Sequence, residues 1–311
     1  MRGACGLRHN DAMSDSTSAA PRPLAVALAL AAVYVVWGST YLGIRFALEG
    51  GFPPFLLGGI RFVVAGTLMF TVLRLRGEAG PSRRQWRNVA VMGMLLLSFG
   101  NGMVNYAEQT VSSGLAAVAV ASAPIWMGLF SMMRGEKPTR VEWGGIAIGF
   151  VGVVWLNAGG AMNGSMPGLL ALLAAALSWS FGSIWSRGRD LPSPFMTAAG
   201  QMLCGGVLMI VIALLTGERF AAMPTPKALA AWAYLVMFGS IVGFSAYVWL
   251  LHHVRPTLAS SYAYVNPAIA VMLGAWLAGE RATAAELGAM AVILAGVVVI
   301  TLAKAARSRR R

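Results

Sequence analysis

A chain of 311 residues that is 58% hydrophobic and only 11% charged does not have the composition of a soluble domain. Its net charge of +13 invites a nucleic-acid partner. The distribution of that charge excludes one: nineteen of the 24 Lys and Arg residues fall in the two tails and in alternate loops, against four, Arg45, Arg219, Lys227 and Arg281, on the opposite side, which is the bias of a multi-pass membrane protein with both termini cytoplasmic.

Residues 1–22 lack apolar periodicity and read as a disordered cytoplasmic tail, within which Met13 is an alternative start to Met1. Ten apolar stretches follow, near the roughly 20 residues that a bilayer core requires: 24–44, 54–73, 89–107, 113–133, 141–157, 167–186, 195–215, 229–250, 258–278 and 285–303. The first is too long for a signal-peptide core and runs on into Trp37, Gly38, Ser39, Thr40 and Tyr41, so it reads as an uncleaved helix that closes near Arg45. The second carries Arg61. The third spaces Asn101, Asn105 and Glu108 at i, i+4 and i+7, which predicts a polar column on one helical face. Pro124 falls in the middle of the fourth. Thr139 and Glu142 have the spacing of a capping box at the start of the fifth, as do Thr283 and Glu286 at the start of the tenth, so these glutamates read as helix caps. The ninth holds Tyr262, Tyr264, Asn266 and Pro267. Mid-span prolines free the carbonyls of Val120 and Ala263, which is tolerated where the backbone lines a cavity. Gly239 and Gly243 have the small-xxx-small spacing of close helix packing. The tail 305–311 is basic and suits anionic lipid. Cys5 and Cys204 form neither a structural disulfide nor a metal framework.

The second five spans repeat the first. Trp37, Arg45, Pro54 and Gly66 align with Trp179, Arg187, Pro194 and Gly206. Pro124, Gly135, Glu136 and Gly152 align with Pro267, Gly279, Glu280 and Gly296. An odd number of spans per copy inverts the second copy in the membrane, and inverted repeats are a hallmark of secondary transporters.

Val36-Trp37-Gly38-Ser39-Thr40-Tyr41, Arg61-Phe62, Gly100-Asn101-Gly102 and Ser261-Tyr262-Ala263-Tyr264-Val265-Asn266-Pro267, within a duplicated ten-span chain, resemble the drug/metabolite transporter superfamily, specifically its EamA-type exporters. The resemblance implies an all-α fold of ten transmembrane helices in two inverted repeats, 24–157 and 167–304, around a central cavity. It also implies efflux of metabolites, amino acids or amphipathic compounds from a bacterial cytoplasm across the inner membrane. Carried over as cavity or gate residues are Trp37, Tyr41, Arg61, Asn101, Tyr264 and Asn266.

No Gly-x-x-x-x-Gly-Lys-Ser/Thr motif is present to cradle ATP phosphates, so no cofactor is expected and transport is secondary or facilitated. A channel-like facilitator and, more distantly, a membrane-embedded enzyme are the competing readings; His252 and His253, adjacent in sequence, diverge around a helix and make a weak ligand pair. The partners expected are a small-molecule substrate and membrane lipid, and the sequence does not fix the oligomeric state. Depth along the helices suggests two layers, an outer Arg45–Glu108 gate and an inner group of Arg61, Asn101 and Asn105 that binds an anionic or carbonyl group. The alternative for Arg61 is that it ties helices together.

Overall fold

The structure, a computed structural model, describes residues 23–111, 116, 119–158, 165–278 and 283–308. Every element among the described residues is helical: α1 (Pro23–Glu49), α2 (Pro54–Leu75), α3 (Arg83–Ala107), α4 (Ala123–Met133), α5 (Arg140–Asn157), α6 (Met166–Ser186), α7 (Pro194–Leu215), α8 (Pro226–His253), the single turn α9 (Pro256–Ala259), α10 (Tyr262–Ala278) and α11 (Ala284–Ser308). Six of them, α1, α2, α3, α6, α7 and α8, are long and apolar enough to cross a bilayer, and shorter apolar helices cover Ala119–Met133 and Leu287–Ile300. The chain is an all-α, multi-helix membrane protein.

Prolines and hydroxyls set where the helices begin. Pro54, Pro194, Pro226 and Pro256 stand in first turns, where the missing N–H is no loss. Ser82, Thr139, Ser165, Ser193 and Thr225 cap the helices that follow them. The capping box at the start of α5 is complete: Thr139 N donates to Glu142 Oε2 (2.7 Å) and Glu142 N donates to Thr139 Oγ1 (3.1 Å). The side chain of its counterpart Glu286 lies outside the described residues, as do Glu280, Arg281, both cysteine-bearing and histidine-bearing parts of the tail 1–22, and residues 309–311.

Pro124 stands at a break within the apolar helix Ala119–Met133. The chain turns at Ser122, and Pro124 opens α4. The cause is local, because the Ser122 hydroxyl donates back to Ala119 O (2.5 Å) and accepts from Trp126 Nε1 (3.1 Å), offering the backbone an alternative to the helical ladder. Pro267, by contrast, sits inside α10.

Two helix pairs meet through glycine. A Cβ on Gly59 of α2 would stand 3.1 Å from the Gly206 carbonyl oxygen of α7, and one on Gly66 would stand 3.0 Å from that of Ala199. Rising numbers on α2 thus meet falling numbers on α7, and the pair is antiparallel. The same holds for α5 and α11, where Gly145 approaches Gly296 O (2.9 Å) and Gly152 approaches Ala289 O (3.2 Å). Lipid supplies no hydrophobic drive between helices, so such backbone proximity is a main source of adhesion.

Helices α3 and α8 share an irregularity. Each is π-helical in its middle, over Gly93–Asn101 and Leu235–Val242, with the i to i+5 bonding that often marks functional sites. The wider turns aim the backbone and small side chains at neighbouring helices. Ser98 donates to Gly205 O of α7 (2.9 Å), and Ser240 accepts from Arg61 of α2 (2.7 Å).

Candidate functional site

The centre of the bundle holds a cavity. Trp37, Thr40 and Tyr41 of α1 line it with Arg61 of α2, Asn101 of α3, Trp179 of α6, Phe244 of α8, and Tyr262 and Asn266 of α10. Its floor is a box of rings. Trp37 lies edge-on to Trp179 (5.5 Å between centroids), Phe244 (5.1 Å) and Tyr262 (4.9 Å), spacings at which ring quadrupoles attract. From there the cavity extends past Ile44 and Val104, toward the bundle end at which α1 and α3 finish.

Helix α8 positions two wall residues, Trp37 and Arg61. Trp37 Nε1 donates to Gly239 O (3.1 Å), while Arg61 Nε donates to Ser240 Oγ (2.7 Å). Both acceptors belong to the π-helical turn, so one irregularity of the backbone serves an indole and a guanidinium together. Arg61 is only 2% exposed, and among the described residues no carboxylate lies within ion-pair distance of it. Asn266, with its amide nitrogen turned toward them, donates to the carbonyls of Tyr262 (3.0 Å) and Tyr34 (3.3 Å).

Beyond the ring box the opposite end of the bundle is tied shut. Tyr34 and Ser261 share a hydrogen bond of 2.6 Å between α1 and the α9–α10 turn, and Tyr247 of α8 bonds Ser183 (2.7 Å) and accepts from Trp179 Nε1 (2.9 Å). Arg187 donates to the carbonyls of Leu251 and Val254 at the end of α8. Glu142 is a junction as well as a cap, since Arg255 holds both of its carboxylate oxygens (2.6 and 3.0 Å) and Thr257 donates to one (3.0 Å).

Several expected positions fall elsewhere. The polar column divides: Asn101, the last residue of the π-helical turn, faces the cavity, whereas Asn105 is buried against α2 and donates to Pro54 O (3.2 Å). The expected outer pair does not form either, because Arg45 is exposed and bonds Glu49 one turn away (2.7 Å), while Glu108, at the end of α3, is near enough to the wall residue Tyr41 to act on it electrostatically without itself lining the cavity. Inside, Arg61 and Asn101 both line the cavity, and Arg61 is held by Ser240. Tyr264 is fully buried with its ring against Gly149 of α5. Pro124 and Pro267 do not line the cavity, although their neighbours Ala123 and Asn266 do.

Trp179, Phe244, Thr40 and Ser240 were not singled out as site residues by the sequence pattern. Trp179 is nevertheless legible in the sequence, as the repeat counterpart of the cavity residue Trp37. Ser240 lay inside a small-residue stretch read only as packing.

An apolar helical bundle with a ring-floored, partly polar cavity between its helices has the build of a small-solute transporter. A sequence profile of the EamA-like transporter family matches residues 24–158 and again 166–302. The chain belongs to that family. A protein of Escherichia coli (strain K12) described as "Uncharacterized inner membrane transporter YedA" is 44% identical over 277 residues, which is 89% of this chain and 90% of that protein. The "Uncharacterized transporter YvbV" of Bacillus subtilis (strain 168) is 25% identical over 278 residues, covering 88% and 90%. A solved crystal structure shares the fold with a TM-score of 0.77 at 24% identity, over 91% of this chain and 99% of that one.

Proposed function

We propose that the chain exports small organic solutes by alternating access, through a ten-span inverted repeat with both termini in the cytoplasm. It is a secondary transporter of small metabolites or drugs in the bacterial inner membrane, and the name of its E. coli relative includes that compartment. One observation carries the reading: Trp37, Arg61, Asn101 and Asn266, from four helices spread over both halves of the sequence, converge on one cavity.

The contacts between the halves support the inverted repeat. Gly59 and Gly66 align with Ala199 and Gly206, so exchanging the two copies turns the Gly59–Gly206 approach into the Gly66–Ala199 approach, and both occur. The Gly145–Gly296 and Gly152–Ala289 approaches exchange in the same way. Aligned Glu218 and Glu78 reach corresponding places, though through different donors: Glu218 accepts from the N–H groups of Phe55 and Leu56 at the start of α2, and Glu78 accepts from the Ser193 hydroxyl at the start of α7. A twofold axis in the membrane plane has these consequences.

With the termini inside, the cavity mouth beside Ile44 and Val104 faces outward, and the network of Tyr34, Arg187 and Glu142 closes the cytoplasmic side. Rocking of one repeat against the other would exchange these states. A metabolite-release and toxicity comparison of cells with and without the protein supplies a substrate, and counterflow in liposomes then tests the mechanism. Acceleration of labelled efflux by unlabelled solute on the far side is expected. Flux that follows the gradient alone, without such stimulation, favours the channel-like alternative.

A further inference from the structure

We propose that the cavity selects organic monoanions with a flat apolar body, carboxylates above all, and disfavours cations and zwitterions. The inference rests on the transport reading and names the chemistry of the solute.

The argument begins with the charge of Arg61. A guanidinium cannot shed its proton, and one buried at membrane depth is ordinarily paired with an acid or bathed by water. Here Nε meets only the neutral Ser240 hydroxyl (2.7 Å), and the four ion pairs among the described residues all involve other arginines. The cavity wall contains no Asp or Glu. Among the described residues the wall itself therefore carries one permanent positive charge and no negative one, the nearest carboxyl being that of Glu108, which acts on Tyr41 from the end of α3. With Nε engaged, the two Nη groups remain for the parallel hydrogen bonds that a carboxylate accepts. The guanidinium packs against Gly239, where a Cβ would stand 2.8 Å from Nη2, and over the Phe62 ring, 4.8 Å from its centroid. These contacts restrict its swing and fix where the anion must sit.

The rest of the wall defines the body of the solute. Trp37, Trp179, Phe244 and Tyr262 offer ring faces and edges, and Ala175 and Ala176, one turn before Trp179 on α6, extend the apolar surface. Such a surface rewards a flat hydrophobic group. An ammonium could lie on these rings, but it would have to do so beside Arg61 with no carboxylate in the described wall to offset the second positive charge, since Glu108 sits behind Tyr41 at the end of α3. The unpartnered acceptor Asn101 Oδ1 is neutral. It is sealed from the open space and does not offset a charge.

The test uses the purified full-length protein in detergent and in liposomes, with three probes that share a phenyl ring: phenylacetate, phenethylamine and phenylalanine. Binding is read by quenching of tryptophan fluorescence, with Trp37 and Trp179 in the cavity as reporters. Phenylacetate is expected to bind at least about tenfold more tightly than the other two, and Arg61→Gln to weaken it by about tenfold or more, as the loss of a charge-assisted bidentate contact does. Arg61→Lys keeps the charge without the fork and should fall between. Should either Arg61 variant fail to fold, Ser240→Ala releases Nε with the charge retained, and a severalfold change in phenylacetate affinity with an unaltered melting temperature is expected. Equal or tighter binding of phenethylamine or phenylalanine overturns the proposal, as does failure of all three probes to bind, or phenylacetate affinity untouched in well-folded Arg61→Gln and Ser240→Ala proteins. Phenylacetate binding without counterflow would instead remove the transport reading and leave the anion site standing. Counterflow of phenethylamine without phenylacetate binding would do the reverse.

Discussion

At position 239 a methyl group has little room. It would stand 2.8 Å from Arg61 Nη2 and 2.9 Å from Thr40 Cγ2, while Gly239 O holds the Trp37 indole. Replacing Gly by Ala in a helix gains up to about 1 kcal/mol, and overpacking costs about 1–3 kcal/mol, so the two nearly offset. Because the guanidinium is the flexible partner, it should be the group that moves. Gly239→Ala is therefore expected to shift the melting temperature little and to raise the half-saturation for export severalfold. A large thermal loss with unchanged half-saturation would count against this assignment. At this scale the sequence disclosed the cavity only in part. Trp37, Tyr41, Arg61, Asn101, Tyr262 and Asn266 reach it, but helical spacing could not tell Asn101 from Asn105, since which side of α3 faces α2 depends on how the π-helical turn winds. Tyr264 shares a motif with Tyr262 and points into the α5 interface instead.

Among the elements, the start of α5 has the firmest polar anchoring. Glu142 is 2% exposed and receives Thr139 N, Arg255 and Thr257 at once. Removing one partner of a buried ion pair costs about 3–5 kcal/mol. Arg255 is 28% exposed and can regain water, so Glu142→Ala should cost near the lower figure, and Glu142→Gln less because an amide oxygen can still cap. Thermal unfolding of the two variants checks the order; equal melting temperatures for both and the parent would show the network to be dispensable. The cap was readable from four residues, Thr139 to Glu142, because a capping box is a local pattern. Its second role was not, since Arg255 lies 113 residues away. The π-helical stretches of α3 and α8 left no legible mark either, for no propensity distinguishes them from α-helix.

For the molecule as a whole, duplication was the most legible property. Trp, Pro and Gly-Glu pairs kept in order give the offset, and that offset makes sense of the antiparallel glycine contacts between α2 and α7. Membrane sidedness is open to a direct check. In a background lacking Cys5 and Cys204, Arg219→Cys should react with an impermeant thiol reagent in intact cells, and Arg83→Cys should react only after permeabilisation. Both side chains are exposed, and losing one arginine leaves the charge bias intact. The opposite pattern would invert the direction assigned to the cavity mouth.

The two repeat-related arginines are not in equivalent circumstances. Arg187 reaches the carbonyls of Leu251 and Val254 on a neighbouring helix, whereas Arg45 has only Glu49 on its own. The carrier is thus latched at one end and unlatched at the other, and a latch sets a clock. On the proposed export cycle, in which this end faces the cytoplasm, an empty carrier must release Arg187 before it can collect cargo, so its return stroke should be the slow step. Arg187→Gln is expected to quicken that return and so raise net efflux into a solute-free exterior, and unchanged net efflux in a variant that reaches the membrane normally would count against the latch.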